Sequence, residues 1–271
     1  MSIWIVGGDA RNRFAAEYFQ QNGFRTQTFG VPQMTDSPLP QAFQNVVLPF
    51  PSFSGALLRG QSAIPIEEII DRLQPNTKVF GGLLNSQTQR FGECGATVYE
   101  LYGSEPLTTC NAVPTAEGAI CLAIEHSPIT LNNASCLVCG FGRCGKALAE
   151  RLHALHAQVT VADCRIEELA LAQTMGLRAE QIGVWRYNLQ EYDFIFNTVP
   201  AAIFSDEQIA SVRPDCVVIE LASAPGAFSA QMQSKLHYLN APGLPGKYAP
   251  KTAGILYAQS ILRILESEDF P

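Results

Sequence analysis

The sequence predicts an α/β protein built of two doubly wound parallel-sheet domains, flavodoxin-like at the N-terminus and Rossmann at the C-terminus. Three observations predict it. β-rich runs alternate with runs of helical period along the chain. A strand, glycine turn and helix start occurs twice, in SIWIVGGDARNRFAAEYF from Ser2 and in SCLVCGFGRCGKALAERL from Ser135. The length of 271 residues suits two domains of ordinary size.

In the first half, strands are expected at 3–7, 25–30, 45–49, 77–82 and 97–101. Helices are expected between them at 12–21, 64–73 and 85–94. Proline and glycine make 38–41 and 49–55 loops. PTAEGAICLAIEHS (114–127) reads as an inter-domain helix with Pro114 at its start. Six strands follow, at 135–140, 158–163, 178–182, 193–199, 216–221 and 237–241, the count of a six-stranded doubly wound sheet. The amphipathic run 251–265 then reads as a helix that crosses back onto the first domain. The expected division is 1–113 with 251–271 on the substrate side, and 114–250 for the dinucleotide.

Hydrophobic residues make up 47% of the chain, so a folded core is expected; the formal charge of −7 and pI near 5.1 speak against nucleic-acid and anionic-membrane surfaces. The start, MSIWIVGGDAR, has no basic segment before an apolar run, and no run of about 18 apolar residues follows. Neither a signal peptide nor a transmembrane helix is therefore expected. Eight cysteines fit reduced thiols in a cytoplasmic protein. Cys136 and Cys139 have C-x-x-C spacing, but they lie in an apolar strand and no second half-site completes a metal set.

The second glycine turn carries the chemistry. Gly140, Phe141, Gly142, Arg143, Cys144 and Gly145 spell G-x-G-x-x-G between a strand and a helix. The first glycine permits a tight turn, the second admits a pyrophosphate and the third lets helix pack on strand. The helix N-terminus adds free N–H groups and a positive dipole end. Asp163, twenty-three positions after Gly140, ends the next strand. Its carboxylate suits the ribose hydroxyls of NAD and repels the 2′-phosphate of NADP, while Arg165 softens that repulsion. Asn197, Thr198, Pro200 and Ala222 follow later strands and are expected to border the coenzyme. The first turn, GGDAR, lacks the third glycine, and Asp9 places negative charge where a pyrophosphate would lie. Asp9 and Arg11 are therefore assigned to the substrate side, with Arg11 able to meet an anion.

Five stretches together carry a resemblance: GGDAR (7–11), NAVPTAEGAICLAIEH (111–126), GFGRCGKALA (140–149), LASAPGAF (221–228) and APGLPGKYAPKTAG (241–254). They resemble the dipicolinate synthase A-chain family over nearly the whole chain. The resemblance implies an oxidoreductase of spore-forming bacteria. Its product is pyridine-2,6-dicarboxylate, from dihydrodipicolinate or its hydroxytetrahydro precursor, by hydride transfer to NAD or NADP. The partner it implies is a flavoprotein-like B subunit. Asp163 departs from the family pattern, in which this residue is not acidic and NADP is favoured; Cys144 stands where a threonine is expected.

Such a substrate, a small dicarboxylate, needs fixed cations. Arg11, Arg143 and Lys251 are the candidates, with Thr252 beside Lys251 forming an anion clamp. Thr115 and Glu117 follow Pro114 at the hinge, and Glu117 is the candidate proton acceptor. A thiol at Cys144, near a helix N-terminus, could be acidified, although steric tolerance explains it more simply. Two other readings share the architecture. A 2-hydroxy acid dehydrogenase needs a histidine base, but His126, His153, His156 and His237 are poorly placed for it. A non-catalytic nucleotide-binding subunit would hold the coenzyme without turnover. The sequence leaves open whether the chain forms a homo-oligomer.

Overall fold

Strand β1 (Ser2–Val6) opens the chain, and its alternation divides the core of the first unit into two. Ile3 and Ile5 join Phe19, Phe80 and Tyr257 on one face of the sheet. Trp4 and Val6 join Phe43, Leu48, Ile69 and Phe91 on the other. A parallel sheet is covered on both faces, so its strands read as apolar runs. The computed structural model describes residues 1–84, 87–183 and 189–268. Its contacts divide the chain into two units, 1–111 with 249–271, and 112–248.

In the first unit β1 is followed by α1 (Ala10–Gln21), β2 (Arg25–Phe29) and β3 (Asn45–Val47). A hairpin of β4 (Phe53–Ser54) and β5 (Leu57–Leu58) leads to α2 (Glu67–Ile70). Then come β6 (Lys78–Gly81), α3 (Gln87–Glu93) and β7 (Thr97–Glu100). The order β2-β1-β3-β6-β7, parallel throughout, is the flavodoxin-like one. The helix expected at 64–73 shrinks to α2. Leu58 N–H donates to the Ile64 carbonyl and Ile66 N–H to the Ala56 carbonyl, so residues 64–66 are drawn out against the hairpin. Residues 85 and 86 of the helix expected at 85–94 lie outside the described residues.

Helix α4 (Glu105–Glu125) corrects a second expectation, because Pro114 lies inside it rather than at its start. A proline there leaves the Cys110 carbonyl without its usual donor. Packing on either side compensates: Leu107 lies in the core of the first unit, and Ala116, Ala119, Leu122 and Ala123 lie in that of the second. By length and composition α4 could cross a membrane, contrary to the expectation from the bare sequence. Its buried alanines and leucines instead describe a core helix of a globular unit.

The second unit runs β8 (Ser135–Cys139), α5 (Arg143–Ala154), β9 (Gln158–Asp163), α6 (Ile166–Thr174) and β10 (Arg178–Gln181). It continues through β11 (Phe194–Asn197), α7 (Asp206–Ala210), β12 (Val217–Glu220), α8 (Ala230–Gln233), β13 (His237–Asn240) and α9 (Leu244–Tyr248). The parallel order β10-β9-β8-β11-β12-β13 is the Rossmann order 3-2-1-4-5-6. Cys136, Cys139 and Cys216 are buried in this unit. Burial pushes the Cys136 and Cys216 thiols up to about 12 and raises Cys139 as well, so they pack as neutral thiols.

Helix α10 (Pro250–Glu268) belongs to the first unit and lies beside α1. The two helices run in the same direction. Gly254 approaches Arg11 and Phe14, and further along Gln259 Nε2 donates to Tyr18 Oη at 3.3 Å. A Cβ at Gly254 would lie 2.3 Å from the Arg11 carbonyl oxygen. Gly254→Ala should therefore lower stability by roughly 1–3 kcal/mol through overpacking, against the gain of about 1 kcal/mol that helix propensity alone predicts. Urea unfolding of the two proteins reads the sign directly.

Candidate functional site

The glycine turn at 140–145 uses each glycine for a different steric reason. Gly140 has φ of +88°, and a Cβ there would meet Thr198 Oγ1 at 2.4 Å. Gly142 is the residue before α5, and open space surrounds its missing Cβ. At Gly145 a Cβ would stand 1.9 Å from the Gly140 carbonyl oxygen. The helix start is thus seated directly on the turn, and of the three positions only Gly142 offers a cradle that a side chain would fill without collision. A pyrophosphate fits that cradle, at the positive dipole end of α5.

Asp163, at the end of β9, is buried and turned into the protein. Its Oδ2 accepts from Phe141 N–H at 2.7 Å and from an Arg165 Nη at 3.0 Å. Its Oδ1 accepts from Arg165 N–H at 2.9 Å and Nε at 3.0 Å. Four bonds fill the acceptor capacity of a carboxylate. Burial would raise its pKa, but the Arg165 and Phe141 hydrogen bonds and the Arg165 charge outweigh it and hold Asp163 down at about 2. A ribose can reach this carboxylate only when Arg165, whose side chain is 51% exposed, swings away. Arg165 also reaches Glu168 at 3.3 Å.

The loops after β11 and β12 are tied to each other by a residue that the sequence motifs did not single out. Glu220, the last residue of β12, is buried. Its Oε1 accepts from Asn197 Nδ2 at 2.6 Å and from Ala222 N–H at 3.0 Å, and its Oε2 from Ala227 N–H at 3.0 Å. Burial raises its pKa despite those three donors. Asn197 is fully buried and spends its remaining atoms on Val199. It therefore shapes the rim rather than presenting a free amide. Thr198 Oγ1 donates to the Cys139 carbonyl at 2.8 Å and packs against Gly140, Pro200 is exposed and Ala222 half-buried. The signal for Glu220 was available: an acid closing the apolar strand CVVIE.

The first unit uses the equivalent turn differently. Asp9 caps α1 in a capping box with Asn12. It also forks to Arg11, with Nη2 at 2.7 Å and Nε at 3.0 Å and 3.1 Å. Burial would raise the Asp9 pKa, but these bonds lower it overall. A carboxylate thus occupies the N-terminus of α1, where a phosphate would have to sit. Lys251 and Thr252 lie exposed in the first turn of α10, at the same end of this unit as Asp9 and Arg11.

Glu117 is exposed and lies 3.7 Å from Arg151 Nε, in the last turns of α5. Eight residues of helix separate Arg151 from Arg143, about 12 Å, so Glu117 is not brought to the glycine turn. Cys144 is not acidified: burial raises its pKa and outweighs the neighbouring Arg143 charge. Arg143 is the exposed first residue of α5, and Thr115 is half-buried on α4. Of the histidines, His153 and His156 lie at the far end of α5, and His126 meets His237 edge to face, ring centroids 6.2 Å apart.

The fold and the glycine cradle define a two-unit α/β protein whose second unit has the Rossmann strand order. No family model matches the chain. The chain is similar to the dipicolinate synthase A subunit of Bacillus subtilis (strain 168), 26% identical over 284 residues, which span 98% of this chain and 96% of that protein. The crystal structure of the dipicolinate synthase A subunit from Bacillus halodurans superposes with a TM-score of 0.86 at 27% identity, covering 97% of each chain. That of the same enzyme's A chain from Bacillus subtilis gives 0.84 at 25%, covering 98% of this chain and 96% of that one.

Because Asp163 titrates near 2 in the fold and near 3.8 unfolded, it contributes stability above pH 3.8 that is lost as pH falls through about 2. Asp163→Asn should cost roughly 1–2 kcal/mol at neutral pH, allowing for solvent around Arg165. The difference from the unmodified protein should vanish by about pH 2 in acid-unfolding curves.

Proposed function

We propose that the chain is a nicotinamide-dependent oxidoreductase subunit that forms pyridine-2,6-dicarboxylate from dihydrodipicolinate or its hydroxytetrahydro precursor. One observation carries the coenzyme reading: the open cradle at Gly142, at the N-terminus of α5 and beside a strand-end acid. The whole-length likeness to the dipicolinate synthase A subunit narrows the substrate. The dihydropyridine loses a hydride and a proton and becomes aromatic. The nicotinamide, when bound, supplies the hydride acceptor. The chain's own residues bind and orient. The first turn of α5 holds the pyrophosphate. Asp163, released from Arg165, accepts the ribose hydroxyls of NAD. Arg11, kept in one rotamer by Asp9, and Lys251 with Thr252 supply cationic and polar groups for carboxylates.

A flavoprotein-like B subunit is the partner in this reading. The absence of any histidine near the glycine turn among the described residues speaks against 2-hydroxy acid chemistry.

Dihydrodipicolinate and NAD, with the B subunit present, should give reduced nicotinamide and dipicolinate in equal amounts. No reduction with NAD or NADP would leave a nucleotide-binding subunit without turnover. Asp163→Ala frees Arg165 for a 2′-phosphate, so the NAD-to-NADP ratio of kcat/KM should fall at least tenfold; an unchanged ratio removes Asp163 from coenzyme selection. Lys251→Ala should raise KM for the dicarboxylate about tenfold and leave coenzyme affinity within about twofold. Equal loss of both would remove the clamp.

A further inference from the structure

A cavity of about 240 Å³ lies in the first unit, walled by Pro51, Phe53, Gly55, Arg59, Leu83 and Gln87. It opens where β3 and β6 end, the carboxyl edge of a doubly wound sheet, which is where ligands of such sheets bind. Phe53, Pro51 and Leu83 make an apolar wall. Arg59 and Gln87 are its convergent polar groups, the composition of a small-molecule site.

The walls are held before any ligand arrives. Ser52, fully buried, rivets the two loops: its N–H donates to the Gly82 carbonyl at 2.8 Å, and its Oγ accepts from Gly82 N–H at 3.1 Å. Glu100 accepts from Leu83 N–H at 3.0 Å, Leu84 N–H at 2.8 Å and Tyr102 N–H at 2.8 Å. Arg59 itself is fastened at three points. Its N–H donates to Ser52, its carbonyl accepts from Gly8 N–H at 2.8 Å, and its Nε donates to the Phe53 carbonyl at 2.9 Å. Gly60 follows, with no room for a Cβ against the Gly8 backbone, 2.7 Å away. The GGDAR turn thus seats the strap that carries Arg59.

The charge of Arg59 decides the ligand. Arg11, Arg13, Arg72 and Arg90 of this unit each face a carboxylate. Arg25, Arg59 and Arg263 have no ion pair among the described residues, and of these three it is Arg59 that lines the cavity with the aromatic wall. A fixed guanidinium is matched by a planar carboxylate, which takes two parallel hydrogen bonds.

We propose that this cavity binds a ring-borne carboxylate, with Arg59 as its cation and Phe53 as its apolar wall. The proposal deepens the function above, because it rests on a pyridine-type carboxylate as substrate or product. It adds a cation that the sequence motifs did not single out.

The test is calorimetric titration of the full chain, without nucleotide, with pyridine-2,6-dicarboxylate and with pyridine-2-carboxylate. Arg59→Gln should weaken binding tenfold or more, and Arg59→Lys, which keeps charge but loses the fork, should recover part of it. Arg59 is exposed, so both variants should keep the thermal midpoint of the unmodified protein. Binding by Arg59→Gln within twofold of the unmodified protein, or no binding of either ligand by the unmodified protein, overturns the proposal. The same preparations are assayed for precursor-dependent nicotinamide reduction. Turnover with Arg59-independent binding removes only this site, whereas Arg59-dependent binding without turnover removes only the oxidoreductase reading.

Discussion

The second unit is organised around a contact that no side chain could share. The start of α5 sits on the turn that ends β8 so closely that a Cβ at Gly145 would stand 1.9 Å from the Gly140 carbonyl. That approach fixes the helix axis relative to the strand. It points the helix N-terminus, with its positive dipole end, at the open space beside Gly142. It also brings Phe141 N–H within 2.7 Å of Asp163, so the strand-end acid is tied to the same turn. A larger residue at 145 would have to push helix and strand apart, and each of these alignments would go with it.

The two units share a device and use it to opposite ends. Asp9 with Arg11 and Asp163 with Arg165 are both Asp-x-Arg forks at the carboxyl edge of a parallel sheet. In the first unit the acid caps the helix after the first strand, and its negative charge fills the anion position. In the second unit the acid belongs to the neighbouring strand and leaves the helix N-terminus open. One shift in the placement of a carboxylate separates a turn that can hold a phosphate from one that cannot.

Carboxylates at strand ends also shape the rims, Glu220 buried and Glu100 exposed. Glu220 gathers Asn197 and the amides of Ala222 and Ala227, and Glu100 gathers those of Leu83, Leu84 and Tyr102. In each case a loop that lacks a ladder of its own has its N–H groups satisfied by one acid at a strand end. Loops held in this way are preorganised, which is what a binding edge needs.

The sequence by itself determined the two parallel sheets, the position of each strand in those two sheets to within a few residues, and the three glycine roles; it did not show the β4–β5 hairpin. Those features follow from local rules: apolar runs on doubly covered strands, and turns where only glycine escapes a collision. The tertiary structure decided what depends on neighbours far along the chain. It carried α4 through Pro114, because packing on both sides outweighs one missing hydrogen bond. It shortened the helix at 64–73, because the hairpin claimed the backbone of Ile64 and Ile66. It set Glu117 against Arg151, and it raised the Cys144 thiol by burial where a helix N-terminus alone would have lowered it. It turned Asp163 inward and Asn197 away from the surface, since a buried polar group takes whichever partner the fold places within reach. Spacing along a chain records which groups can be adjacent on one element; only packing decides which partner each of them takes.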